Sequence, residues 1–459
     1  MKGKDLIQDL LSGLTVSFAA LALGAAFGTM SGRGAFAGML GAALIPIFTS
    51  LLGGTRIQAS GPTGPMTAVS ALVVAFAYDN YEGSKASAEQ FITLVFMLSA
   101  ILMFLFGLFK LGGFISKVPQ VVIIGFMNGI AVLIWFDQIK KMFGVGPKLE
   151  PFQGALWLNI TLMIATLALI YLLPRLLKML KVPRMVRIFL PGVLVAIFLM
   201  TFITWFFDLD VELVTLGATV SGFEDFWTMC LSYFPGKAMF NMDTFLSAIP
   251  YAFQIALLGY LDSLLTALVI DKMTNEKTRF NKELMAQGVA NGISAFFQGL
   301  PGAQATIRSV LLVKEGAKGR LSGVMIGVFA LMGIILFKDY LQLVSSAVFV
   351  GVLFKAGADV FDIEFSGHYF KRKWYKSHRR NIQMGFVAYT TIITILFDLN
   401  IAVISSTALF YIGKHFWKIE DCEDNLGEMM EAEFQQKYMG GVSHPDDPTD
   451  HDFVKKPKE

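Results

Sequence analysis

Apolar residues fill this chain in long blocks, and polar residues gather between them. About fourteen apolar stretches can be marked out, at roughly 13-31, 34-53, 63-77, 90-109, 118-136, 154-174, 186-207, 245-270, 283-298, 304-314, 321-337, 341-357, 383-397 and 399-417. Most approach the roughly 20 residues that a helix needs to cross a bilayer. Inside lipid every backbone N–H and C=O must be satisfied within its own segment, so such stretches predict helices. The pattern predicts an all-α polytopic membrane protein.

Two stretches, 63-77 and 304-314, are too short to span alone, and each follows an irregular run rich in Pro and Gly. One is third among the first seven stretches and the other third among the second seven. Short, interrupted segments at corresponding places in two halves point to a transporter binding site. Aligning Pro62 with Pro301 sets Pro62-Thr-Gly-Pro-Met-Thr67 over Pro301-Gly-Ala-Gln-Ala-Thr306; both read Pro, small residues, then Thr five positions on. The expectation is a seven-plus-seven inverted repeat, over about 13-207 and 245-418.

Charge orients the chain. With the N-terminus inside, cytoplasmic loops hold Arg175, Lys178, Lys181, Arg184 and Arg187, then Lys272, Lys277, Arg279 and Lys282. They also hold Lys314, Lys318 and Arg320, and the basic run at 371-380. Opposing loops such as Asp208-Leu-Asp-Val-Glu212 are acidic, in keeping with the positive-inside tendency. Lys140, Lys141 and Lys148 are the exception, left on the outer side. Both termini are expected in the cytoplasm, with the transporter domain over 1-418 in the inner (plasma) membrane. Residues 419-459 form a short acidic tail, with twelve acidic residues against four lysines from Glu420 on. The basic run 371-380 acts as a topology determinant, with anionic lipid as a lesser reading.

Composition agrees with a membrane bundle. Of 459 residues 55% are hydrophobic and 16% charged, where soluble domains average about 25% charged. The 43 Gly suit close helix approach. A net charge of +3 gives no reason to expect nucleic acid. Cys230 and Cys422 are far apart and suggest neither a disulfide framework nor a metal site. All five His fall in loops, at a helix end or in the tail, which argues against an intramembrane His relay. No nucleotide-binding loop, metal cluster or nucleophile-base arrangement suggests an enzyme.

One acid stands in the wrong solvent. Asp262 lies inside the apolar run 256-270, where a carboxylate costs roughly 2.5 kcal/mol or more and normally faces a partner, a cavity or an ion. Thr266 is four residues on, on the same helix face, and the two oxygen groups suit a small hard cation. Two half-helices meeting near the midplane would offer an anion their unpaired N–H groups and positive dipole ends. The residues there are Thr63, Gly64, Pro65, Met66 and Thr67 on one side and Ala303, Gln304, Ala305 and Thr306 on the other. Pro65 suits the first turn, where no N–H is missed, and Arg308 adds positive charge. Anion and cation side by side would each lower the cost of burying the other. The blander readings are an ordinary re-entrant turn for the Pro/Gly stretches, and for Asp262 an ion pair with Arg308, a hydrogen-bonded structural acid, or a proton site.

These residues match a known pattern. Gly53-Gly-Thr-Arg-Ile-Gln-Ala-Ser-Gly-Pro-Thr-Gly-Pro-Met-Thr67 resembles the signature around the third segment of the SulP family of inorganic anion transporters. Leu261-Asp-Ser-Leu-Leu-Thr266, Asn281 to Asn291 and Gly299-Leu-Pro-Gly-Ala-Gln-Ala-Thr-Ile-Arg308 resemble its eighth to tenth segments. Within the family the resemblance is closest to the BicA-type sodium/bicarbonate symporters. It implies core and gate domains, elevator-type movement and a homodimer. It also implies no cofactor, with sodium as the coupling ion. Sodium maps to Asp262 and Thr266, with help from Thr306 at the start of the tenth segment, and Gln304 beside it could add a ligand. The anion maps to Thr63, Gly64, Met66, Thr67, Ala305 and Thr306, with Arg308 beside it. Gln304 stands where that type has Gly, and the tail is too short for the usual STAS domain. The expected activity is sodium-coupled symport of bicarbonate first and sulfate second. The alternative on the same fold is proton-coupled uptake of a dicarboxylate or nucleobase.

Overall fold

The computed structural model describes residues 3–81, 84–113, 119–145, 151–181, 192–214, 222–341, 343–363, 365, 367, 369, 374–397 and 399–417. The acidic tail, Lys148, Arg184, Arg187 and positions 371–373 lie outside the described residues.

Among the described residues a helix lies in each of the fourteen apolar stretches. In the first half these are α1 (Gly3–Met30), α2 (Ala35–Leu52), α3 (Gly64–Asn80), α4 (Lys85–Leu108), α5 (Gln120–Phe143), α6 (Leu156–Met179) and α7 (Gly192–Phe206). A ten-residue helix, α8 (Phe223–Ser232), opens with Glu224 and Asp225, and the apolar pattern did not mark it. Then follow α9 (Met242–Thr274), α10 (Phe280–Phe296), α11 (Thr306–Lys314), α12 (Arg320–Leu341), α13 (Ser346–Val360), α14 (His378–Leu396) and α15 (Leu399–Trp417). Among the described residues six helices are long and apolar enough to cross a membrane: α1, α2, α4, α5, α6 and α9. The protein is thus an all-α polytopic membrane protein.

The helices pack most densely in two sets. In one, α4 lies against α9 and α10, α2 against α1, α10 and α12, and α1 against α12, with α3 and α11 held on α9. In the other, α5 lies against α13 and α14, α13 against α6, α6 against α7, and α14 against α15. Thr391 Oγ1 donates to Gly125 O at 2.9 Å, tying α14 to α5. Trp135 Nε1 donates to Phe354 O at 3.0 Å, tying α5 to α13. The sets touch chiefly through α3–α5, α1–α13 and α1–α7.

Two short extended segments cross inside the first set. β1 (Ser60–Gly61) runs into α3 and β2 (Ala303–Gln304) runs toward α11. They pair antiparallel with Ser60 opposite Gln304 and Gly61 opposite Ala303. This pairing satisfies buried backbone groups that would otherwise stand unbonded. It also needs glycine. Gly61 has φ +146°, and a Cβ on Gly302 would lie 2.1 Å from the Gly61 carbonyl carbon. Asn291 on α10 fixes the loop ahead of β2: its Nδ2 donates to Gly302 O at 2.8 Å, and its Oδ1 accepts from Gly302 N at 2.7 Å.

Candidate functional site

The strand pair brings two helix N-termini to one place. Thr63 is the N-cap of α3, extended at φ −123° and ψ 156°, with Pro in the first turn. Ala305 is the N-cap of α11. At neither end does the cap residue's side chain bond the helix backbone. Each end therefore offers N–H groups and the positive end of its dipole.

Helix α9 ties the two ends together along one face. Thr63 Oγ1 donates to Asp262 Oδ2 at 2.8 Å. One turn further, Thr266 Oγ1 and Thr306 Oγ1 are bonded at 2.6 Å. Positions i and i+4 stand about 6 Å apart along a helix, so one turn of α9 meets both half-helices. Between them Ser263 Oγ accepts from Gln304 N at 3.3 Å. Thr63 and Thr266 are almost fully buried, whereas Asp262 and Ala305 are partly exposed and Thr306 is exposed. Asp262 and the first residues of α11 thus keep exposed surface while Thr63 and Thr266 do not. The side-chain polar atoms of Asp262, Thr63, Thr266 and Thr306 on this face are all oxygens, the ligand type a small hard cation takes.

Other expected site residues fall differently. Met66 is fully buried, and its Cε lies 3.3 Å from where a Cβ on Gly259 of α9 would sit. Thr67 is fully buried, and its hydroxyl has no partner among the described residues. Gly64 packs against Ile134 of α5. The Gln304 side chain is fully buried and accepts from Thr55 Oγ1 at 3.4 Å, while its amide nitrogen has no partner among the described residues. Of Gln304, then, it is the main-chain N–H that joins the α9 face.

Arg308 departs further from expectation. It is 2% exposed, and its Nη2 donates to Pro62 O at 2.8 Å, with the guanidinium packed on Gly61. Among the described residues no ion pair joins it to Asp262. The cause is local: Pro62, the residue after β1, presents its carbonyl to the guanidinium. Arg308 thereby braces the residue before Thr63.

Sequence reasoning alone marks neither Ser263 nor Asn291 as a site support, nor the buried acid Glu283. Glu283 is fully buried, and its Oε2 accepts from Gly54 N at 2.8 Å and Thr55 N at 2.9 Å. Its Oε1 accepts from Gln287 Nε2 at 3.0 Å. Glu283, Gln287 and Asn291 recur every four residues on α10, a polar stripe visible in the sequence.

With this geometry in view, the class is plain: a polytopic membrane protein whose two broken helices meet on a third. The chain belongs to the sulfate permease family, whose model matches residues 6–374. It is a family of transporters and not of enzymes, and its members carry out secondary active anion transport on this fold. The chain is 32% identical over 417 residues to the bicarbonate transporter BicA of Picosynechococcus, covering 87% of this chain and 68% of that protein. It is 30% identical to the putative sulfate transporter YvdB of Bacillus subtilis, covering 88% of this chain and 73% of that one. The transmembrane domain of a cyanobacterial BicA superposes with TM-score 0.71 at 29% identity, over 88% of this chain and 98% of that chain. Murine solute carrier 26 member A9, inward-facing, shares the fold with TM-score 0.71 at 16% identity, over 90% of this chain and 68% of that chain.

Proposed function

We propose that this protein is a sodium-coupled symporter of a small inorganic anion, bicarbonate before sulfate. The observation that carries the reading is the α9 face, where Asp262 binds Thr63 and Thr266 binds Thr306. In this reading sodium takes oxygens from Asp262, Thr266 and Thr306, and Gln304, expected as a sodium residue, supports them by donating its main-chain N–H to Ser263. The anion lies between the N-termini of α3 and α11, at Thr63, Gly64, Met66, Thr67, Ala305 and Thr306. Arg308 adds long-range positive charge while it holds Pro62. A cation at Asp262 neutralises the carboxylate that would otherwise repel the anion, and this couples the two. Bicarbonate is favoured over sulfate because the site offers few donors and little formal charge, and because BicA is among the relatives.

The set that contains α3, α9 and α11 is the moving core, and the set built on α5, α13 and α14 is the gate. Elevator-type movement of core against gate carries the site across. This reading assigns fourteen membrane segments in two inverted repeats, about 13-207 and 245-418, with both termini cytoplasmic in the inner membrane. It treats the protein as a homodimer. The test is uptake of labelled bicarbonate and sulfate into proteoliposomes with and without an inward sodium gradient at one pH. Uptake driven by a proton gradient alone would favour a protonating Asp262 and an organic acid or nucleobase substrate.

A further inference from the structure

Lys141 breaks the charge pattern along the chain, and the structure gives it a partner. It sits in the last turn of α5, and its Nζ donates to Met30 O at 2.7 Å. Met30 is the last residue of α1. The other carbonyls of that last turn already have partners. Phe27 O accepts from Ser31 N at 2.9 Å, Gly28 O from Gly34 N at 3.1 Å, and Thr29 O from Gly32 N at 3.1 Å. Lys141 thus takes the final carbonyl, at the negative end of the α1 dipole, where a cation is favoured. Asp137, one turn earlier on α5, stands 3.5 Å from the ammonium and steadies it.

This bond crosses between the two helix sets. Two turns before Lys141, Ile134 is fully buried, and its Cδ1 lies 2.8 Å from where a Cβ on Gly64 would sit. Phe27 of α1 closes the same seam, with Cε1 3.8 Å from that point. Helix α5 therefore seals the start of α3 with Ile134 and is hooked to the end of α1 by Lys141, roughly 10 Å further along. Ile134 and Phe27 are apolar and set no unique position along the seam. A charged donor on one carbonyl does.

We propose that Lys141 is a conformational latch that holds the gate against the core at the end of the membrane where α1 finishes. Opening that side requires the Lys141–Met30 bond to break and Ile134 to leave Gly64. This rests on the reading that the two sets move relative to each other, but on neither the coupling ion nor the anion.

The test is thiol labelling of Ile134→Cys, with Cys230 and Cys422 replaced by Ser, in nanodiscs open to water on both faces. A membrane-impermeant maleimide is the probe, and no substrate is added. Lys141→Met keeps the side-chain stem and removes the donor. It is expected to speed labelling roughly threefold or more, the scale of one partly exposed charged hydrogen bond, and Lys141→Arg to restore the slow rate. Equal labelling rates in Lys141→Met and its parent would overturn the latch, as would faster labelling that Lys141→Arg shares. An unfolded Lys141→Met would elute apart from its parent on size exclusion. Asp137→Asn, which leaves Lys141 without its steadying carboxylate, then serves as the second variant: faster labelling supports the latch, and a rate equal to its parent's overturns it. A protein that transports with no sodium dependence leaves these outcomes intact, so failure of the symport reading is distinguishable from failure of the latch.

Discussion

Thr63 and Asp262 are 199 residues apart in sequence and 2.8 Å apart in space. The N-cap hydroxyl of one half-helix thus spends its proton on an acid of another helix rather than on its own backbone. Asp262 accepts from that hydroxyl and keeps part of its surface exposed, which is the arrangement the proposed cation site needs.

Removing the acid tests this directly. Asp262→Ala should reach the membrane and bind no coupling cation, so uptake loses its sodium dependence. Asp262→Asn keeps an oxygen for Thr63 without the charge and should lose sodium dependence as well. Sodium-driven uptake in either variant, measured in proteoliposomes, would remove Asp262 from the cation site.

Thr266 and Thr306 share one hydrogen bond, so their losses should not add. Thr266→Val and Thr306→Val are each expected to raise the sodium concentration for half-maximal uptake. The double variant should be no worse than the weaker single one. Fully additive effects would show that the two hydroxyls act separately. Thr306→Val is also expected to weaken anion affinity.

Asn291 is a support rather than a ligand. Asn291→Ala leaves both the N–H and the carbonyl of Gly302 unbonded in a buried place, at a cost of about 2 kcal/mol or more. The denaturation midpoint in detergent should fall. A midpoint at the parent value would mean that water replaces the amide.

Gly302→Ala sets a methyl against the Gly61 carbonyl and forces the strand pair apart. Because that pair aims both half-helices, transport should be lost even where the variant inserts. Parent-level uptake would show that the crossing tolerates a shift that the packing here forbids.

The hydrophobic pattern reveals the helices well because each segment must hide its backbone from lipid over a long run. It misses α8, whose ten residues carry Glu224 and Asp225 and follow no apolar block. The placement of Asp262 and Thr266 on one helix face beside the two half-helices is legible because a carboxylate in an apolar helix has few explanations. The aim of Arg308 is not legible, since it depends on Pro62, the residue after β1, presenting its carbonyl, and β1 and β2 are two residues each. Gln304 is similar: its place in the chain suggests a ligand, and its side chain turns to Thr55 because strand alternation at Gln304 points it away from the α9 face. Lys141 registers in the sequence only as a misplaced charge, and the end of α1 gives it a reason.

The central claim is that a cation at Asp262 drives an anion held by the two half-helices. The most direct measurement is uptake of labelled bicarbonate and sulfate into proteoliposomes, with and without an inward sodium gradient at fixed pH. Sodium-driven accumulation of one anion, bicarbonate first, is expected, with its loss in Asp262→Ala. Equal uptake with and without sodium for both anions would contradict it.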